Sequence, residues 1–471
     1  MVRGSTLPAH LLEAAELAES VASSAGLTFF DVVFEMLDAS DVNALAAYGG
    51  FPTRYASWRF GMEYEQLSRS YDWGLSKIYE LVINHDPTVA YLVRSNSFME
   101  QKLVMAHVFG HADFFRNNAW FAPTDRRMIG RFERHAIRIK EHVSRLGQDR
   151  VEEFLDAALS LDTLIDPYGA QRRMRARGLE DSGGAAPRAG ASGTASGAPS
   201  LAEAALARLS AVQGEDSSAA PIQEELSAAV YESPFDVLGF LAENADVPSW
   251  QRDILRIVAY EAEYFAPQRM TKIINEGWAS FWHSRLLTGG LLDASEIIEF
   301  ADCHSGATAA APGQLNPYKL GIDLFRYAEE KGMDIFQLRA IHNDVSFIDA
   351  VVDHEFVQRS KLFAMETGSA PGRPSVVGTR DADEIKKRLL AQLAWGGQPR
   401  IRLASVKDGS RGTLVLRHEH DGRDLKLDEA GVLLRTVGRI WQGAVELWTQ
   451  EGEEGRRLLC EGDELSLREA S

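Results

Sequence analysis

Residues 101 to 118 read QKLVMAHVFGHADFFRNN, and two histidines four apart in so apolar a run decide how the rest of the chain is interpreted. On a helix, His107 and His111 project from one face a single turn apart, a spacing that one metal ion bridges. Gly110 between them lets another backbone or a ligand approach closely, at some cost in helix propensity. The pattern is that of the H-E-x-x-H helix of zinc hydrolases, whose glutamate is the general base, except that Val108 stands in the glutamate's place. A hydrolytic site therefore needs a third ligand and a base from elsewhere. The plainer alternative is a pair of hydrogen-bonded core histidines.

The third ligand is expected in TKIINEGWASFWHSRLL, residues 271–287, where Asn275, Glu276, Ser280 and His283 interrupt bulky apolar neighbours. Two-His-one-Glu zinc hydrolases take their glutamate from a second helix, and a glutamate followed by glycine resembles the third-ligand helix of some zinc peptidases. The expected ligand set is His107, His111 and Glu276 holding zinc, with a fourth position open to water as in catalytic sites. His283 lies seven residues after Glu276 and shares its face. The base stays open among Glu261 or Glu263, Glu80 in IYELVINHDP, Asp113 and His283, any of which must come within about 2.6–3.2 Å of the reacting water. Glu261, His283 and Glu80 are carried forward as the catalytic candidates.

The chain of 471 residues, 45% hydrophobic and 25% charged, has the make-up of a globular protein with two or three cores. Its 68 acidic and 50 basic residues give a net charge of −18, which repels phosphate backbones and anionic lipid. No basic patch offsets this, so nucleic acid is not an expected partner. The first 26 residues lack the uninterrupted apolar core of a signal peptide, and no stretch approaches the roughly 18 apolar residues of a spanning helix. A cytoplasmic location is expected. Cys303 and Cys460 suggest neither a disulfide framework nor a thiolate zinc site. Phosphate-loop, dinucleotide and nucleophile-elbow motifs are missing, which leaves nucleotide and serine-hydrolase chemistry without support.

The periodicity from Leu7 to Leu164 is helical. The stretch GLEDSGGAAPRAGASGTASGAPSLAEAALARLSAVQGEDSS, from Gly178, lacks aromatics and reads as a flexible excursion. Pro267 is expected to separate a helix over 251–265 from one over 268–287. After GSAPGRPSVVG, one helix over 381–393 and the β-prone runs IRLASV, GTLVLRHEH, AVELWTQ and LLCEGDELSL predict a small α+β tail. The expected organisation is a helical domain in two parts, 1–177 and 223–366, interrupted by a linker at 178–222, then a linker at 367–380 and an α+β domain at 381–471. The fold class is mainly α: a helical domain with a zincin-like two-His-one-Glu site, plus the small C-terminal α+β domain.

The other histidines read as less telling. His354 begins H-E-F-V-Q without the second histidine, and His418 and His420 share a strand face that the neighbouring Glu and Asp-Gly turn assign to solvent. His135 and His142 sit on a charged helix and read as surface. His304, in FADCHSGATAA, is expected in a loop lining a cleft.

HVFGHADFFRNN, NEGWASFWH, YELVINHDPTVAYL, LNPYKLGIDLF and NDVSFIDAVV together resemble the stage V sporulation protein R (SpoVR) family of bacteria, over nearly all of the chain apart from the Gly/Ala/Ser stretch and its flanks. The resemblance implies a cytoplasmic protein tied to formation of the spore cortex, a peptidoglycan layer, or to stress and starvation responses. As partners it implies a serine protein kinase of the AAA type and a protein with a von Willebrand factor A-like domain. It extends to His107, His111, Asp113, Asn117 and Asn118 in the first block and to Asn275, Glu276, Gly277, Trp278 and His283 in the second. The long Gly/Ala/Ser insertion departs from the family pattern and places the two blocks on either side of it. Two functions remain in view: a zinc-dependent amide hydrolase, and a non-catalytic regulator or scaffold.

Overall fold

A computed structural model describes residues 7–72, 80–181, 233–308, 315–366, 376–407 and 412–469. Of the expected linkers, 178–222 lies outside these residues from 182 onward and 367–380 does so between 367 and 375. The chain is mostly helical with a C-terminal sheet of five strands. It divides into two compact units, one within residues 1–136 and 268–393, the other within 137–199, 210–267 and 394–471.

In the first unit, helix α1 (Ala9–Ser24) is followed by strand β1 (Val32–Leu37), two helices over 39–47 and 58–72, strands β2 (Glu80–Ile83) and β3 (Thr88–Val93), and helix α2 (Phe98–Asn117). The sheet has the order β1-β3-β2, with β1 parallel and β2 antiparallel to β3. It corrects the all-helical expectation for this region. Five of the six residues of TVAYLV in β3 are buried, so the strand is a continuous apolar run, which periodicity cannot tell from a buried helix.

Helix α2 begins with a capping box. The Ser97 hydroxyl accepts from the Glu100 amide at 3.1 Å, and the Glu100 carboxylate accepts from the Ser97 amide at 2.7 Å. Nearly every residue from Met99 to Phe115 is buried, the mark of a helix enclosed on all sides. The small face of α1, Ala14, Ala15, Ala18 and Ala22, packs into the same core.

The unit continues through α3 (Lys272–Leu286), α4 (Ile297–Thr308), α5 (Pro317–Glu330), a helix over 335–341, α6 (Asp344–Val351), a turn of helix over 354–359, the hairpin pair β4 (Ala364–Glu366) and β5 (Val376–Thr379), and a helix over 382–393. The predicted break at Pro267 moves to Thr271: the preceding helix, Ser249–Met270, runs through the proline. The new start is fixed from a distance, because the Asp344 carboxylate accepts from the amides of Ile273 at 3.0 Å and Ile274 at 2.8 Å, two donors that the first turn of α3 leaves unpaired.

Glycines set the helix spacing. A Cβ on Gly110 of α2 would stand 2.7 Å from Ala279 Cα of α3, and one on Gly277 would collide with the backbone of Gly321 in α5. Helices α2, α3 and α5 thus pack backbone against backbone, which only missing side chains allow.

The second unit carries the sheet β6 (Ile401–Val406), β7 (Leu414–His418), β8 (Val445–Glu451), β9 (Glu454–Glu461) and β10 (Glu464–Glu469), in the order β10-β9-β8-β7-β6. Every neighbouring pair is antiparallel except β7 with β8, and helix α7 (Leu427–Trp441) makes that parallel crossover. The helix was not expected, although Leu434, Val437, Ile440 and Trp441 bury one face of it. His418 is buried and its Nδ1 lies 2.9 Å from Thr449 Oγ1, a correction to its solvent assignment. The surface reading of His135 and His142 is corrected too: His135 is buried in the first unit, and His142 Nε2 is 2.9 Å from Asp253 in the second. No described helix is long and apolar enough to cross a membrane.

Candidate functional site

Helices α2 and α3 bring the two motif blocks together. His107 Nε2 stands 3.6 Å and His111 Nε2 3.5 Å from Glu276 Oε2, and the three side chains offer ligand atoms that all lie within 4.8 Å of one another. Among the described residues this is the one group of three His, Cys, Asp or Glu side chains spaced to hold a metal ion. Both histidines are buried, and the Glu276 side chain is 20% exposed. Glu276 Oε2 is itself buried without a hydrogen bond.

Electrostatics keep the carboxylate charged. Burial pushes the Glu276 carboxyl up, but the facing imidazoles of His111 and His107 outweigh burial and hold it well below the usual carboxylate range.

Each histidine is held by its other nitrogen. His111 Nδ1 lies 2.9 Å from Asn275 Oδ1, which only accepts, so Nδ1 carries a proton. His107 Nδ1 lies 2.9 Å from His283 Nδ1, and His283 Nε2 lies 3.1 Å from His304 Nδ1. Burial above all, then the charges of His107, His304, His111 and Arg326, push the His283 imidazole well below its ordinary value and leave it neutral.

Two residues beyond His111 on α2, Asp113 is fully buried and receives four donors: the Thr28 amide at 2.8 Å, Trp278 Nε1 at 2.9 Å, Asn117 Nδ2 at 3.1 Å and Arg339 Nη2 at 3.3 Å. Burial raises its carboxyl to about 6, with Arg339 and the hydrogen bonds opposing. These bonds tie α2 to Trp278 of α3 and so fix the axial register of the two ligand-bearing helices. Asn118 serves a similar purpose, donating to the carbonyls of Arg339 at 2.6 Å and His342 at 3.0 Å.

The candidate bases fall in different places. Glu80 opens strand β2, and its side chain lies outside the described residues. Glu261 is buried in the second unit, and Glu263, in the same unit, is half-exposed and pairs with Arg173 at 2.5 Å. Asp113 is consumed by its four donors. His283 stands behind His107, on the Nδ1 side and not on the side that faces Glu276.

His304 is on helix α4 and not in a loop. Its link to His283 was not foreseen, because no sequence spacing relates α4 to α3. The ring of Tyr318, whose centroid is 6.4 Å from that of His107, is a further unforeseen neighbour. It is placed by Asn316, which caps α5 by accepting from the amides of Tyr318 and Lys319, with Pro317 in the first turn.

The family profile described as "SpoVR like protein" matches residues 6–398. The chain is also similar to the uncharacterized protein YcgB of Escherichia coli (strain K12), at 28% identity over 454 residues, covering 88% of this chain and 86% of that protein. No solved structure matches.

Proposed function

The chain belongs to the SpoVR family, and from that premise we propose that it is a cytoplasmic metal-dependent hydrolase of an amide or peptide bond, with zinc held by His107, His111 and Glu276. The observation that carries the reading is the spacing of 3.5 and 3.6 Å between Glu276 Oε2 and the two Nε2 atoms. Hydrogen bonds between such atoms run at about 2.7–2.9 Å. Ligands at about 2.0–2.1 Å around a tetrahedral ion stand roughly 3.3 Å apart. A buried carboxylate oxygen without a hydrogen bond fits the same explanation.

Zinc in such a site supplies Lewis-acid polarisation of a carbonyl and acidifies water at an open position. The chain's own contribution is to keep Glu276 ionised and to hold the His111 ring through Asn275. The zincin-like arrangement, with two histidines on one helix and a glutamate on another, suits an amide in peptidoglycan or its precursors, the substrate class that the family's link to the spore cortex suggests; a part in stress responses is the other process implied. Elemental analysis of untagged protein tests this. One metal per chain, lost in His107→Ala, is expected; folded protein that takes up no added zinc ends the proposal.

Val108, fully buried where H-E-x-x-H places its base, favours a second reading. In it the protein is a regulatory or scaffold protein that works with a serine protein kinase of the AAA type and a von Willebrand factor A-like protein. Co-purification of such partners that survives Glu276→Gln and His107→Ala, without turnover of any amide, would select it.

A further inference from the structure

Three imidazoles stand in series behind the candidate metal site. His107 Nδ1 meets His283 Nδ1 at 2.9 Å, and His283 Nε2 meets His304 Nδ1 at 3.1 Å. They come from three helices, α2, α3 and α4, and run from a buried ring at His107 to a half-buried one at His304. A neutral imidazole has one donor and one acceptor nitrogen, so an N–H···N series has a direction, and setting one ring sets the others.

We infer that His283 and His304 are positioning residues that lock His107 in the tautomer able to ligate through Nε2. The inference rests on the metal reading of His107, His111 and Glu276. An imidazole ligating through Nε2 carries its proton on Nδ1. His107 must then donate to His283 Nδ1, which leaves the His283 proton on Nε2, donated in turn to His304 Nδ1. The reversed series puts a proton on His107 Nε2 and removes the lone pair from the site. His304 therefore matters as an acceptor at the end of the series, and His283 as the ring that passes its direction on. Asn275 performs the same office for His111 in one step. The two ligands thus differ: the His111 tautomer is fixed by a group that cannot reverse, and the His107 tautomer by groups that can.

The test uses the full-length untagged chain, stripped with a chelator and titrated with zinc against a chromophoric competitor. His283→Leu, which removes the acceptor while filling space, is expected to weaken zinc binding by about 10–100-fold, the usual effect of losing a partner behind a ligand. His283→Gln, whose carbonyl oxygen accepts from His107 Nδ1, is expected to restore most of that loss, and His304→Leu to weaken binding less than His283→Leu. Wild-type affinity in a folded His283→Leu, or Gln no better than Leu, overturns the inference. In zinc-loaded wild type, imidazole ¹⁵N shifts should put the His283 proton on Nε2; finding it on Nδ1 overturns the inference whatever the variants do. Wild-type protein that takes up no zinc fails at the first titration, and it is then the ligand site itself that falls.

Discussion

Two carboxylates near the junction of α2 and α3 face opposite circumstances. Asp113 is fully buried, and four donors, Arg339 among them, converge on it. Glu276 has an oxygen that is buried without a hydrogen bond, with two imidazole nitrogens set 3.5 and 3.6 Å away. The first arrangement is complete as it stands, whereas the second has its polar atoms spaced around a point that none of them occupies. A folded chain tolerates an unsatisfied buried carboxylate only at a cost of about 1–3 kcal/mol or more, and this contrast is what the proposed metal site rests on.

The sharpest way to break the contrast is at Asp113. Asp113→Ala leaves the buried Arg339 guanidinium without its carboxylate, and removing one partner of a buried pair costs about 3–5 kcal/mol. Urea unfolding should register a loss of that order. Glu276→Gln should behave oppositely, with a midpoint close to wild type in metal-free protein but zinc affinity reduced by at least about 100-fold, beyond what loss of an outer partner does. Equal destabilisation by the two substitutions would make Glu276 another structural carboxylate.

Position 277 probes the spacing that serves both groups. A methyl at Gly277 meets the Gly321 backbone, and overpacking of this kind costs about 1–3 kcal/mol. Gly277→Ala should therefore lower the thermal midpoint and, by pushing α3 away from α5, weaken zinc binding as well. A stable Gly277→Ala that loses zinc would place the effect in the site geometry alone.

What the sequence made legible follows the range of the interactions. His107 and His111 are four apart, so helix geometry alone puts them on one face, and Glu276 stood out as a charge among Ile, Trp and Phe. The C-terminal strands were legible from alternation and Asp-Gly turns. Strand β3 was not, because a strand buried on both faces has no alternation to display, and α7 was overlooked between strands although its apolar residues recur every three or four positions. The cap from Asp344 to Ile273 and Ile274, the Asp113–Trp278 bond and the His283–His304 link join residues 21 to 165 positions apart. No local rule anticipates them. His283 was singled out for its polarity in an apolar helix, but only the fold shows which nitrogen of His107 it meets.

Asp344 extends the comparison to pH. Burial raises its carboxyl to about 7, against the opposing pull of the Ile273 and Ile274 amides and with the Glu276 charge adding to the rise. Its value in the unfolded chain is near 3.9. Between the two values the folded state holds a proton that the unfolded state has released, so this group's contribution is complete below about pH 4 and is lost as pH rises through about 7. The slope approaches about 1.4 kcal/mol per pH unit within that window. Unfolding free energies of wild type and Asp344→Asn, measured from pH 5 to 8, should diverge with this sign; parallel curves would mean that Asp344 is ionised throughout.

The smallest effect is expected at the start of α2. Ser97 and Glu100 satisfy two amides reciprocally, and replacing a serine cap by alanine costs about 1 kcal/mol. Ser97→Ala should lower stability by that amount, while zinc affinity should hold, because His107 lies ten residues further along a helix enclosed on all sides and registered by Asp113. A measurable loss of zinc affinity in Ser97→Ala would show that the cap and not the Asp113 junction fixes the axial position of the ligands, and the division between a stabilising and a ligand-holding carboxylate would then no longer describe how α2 is held.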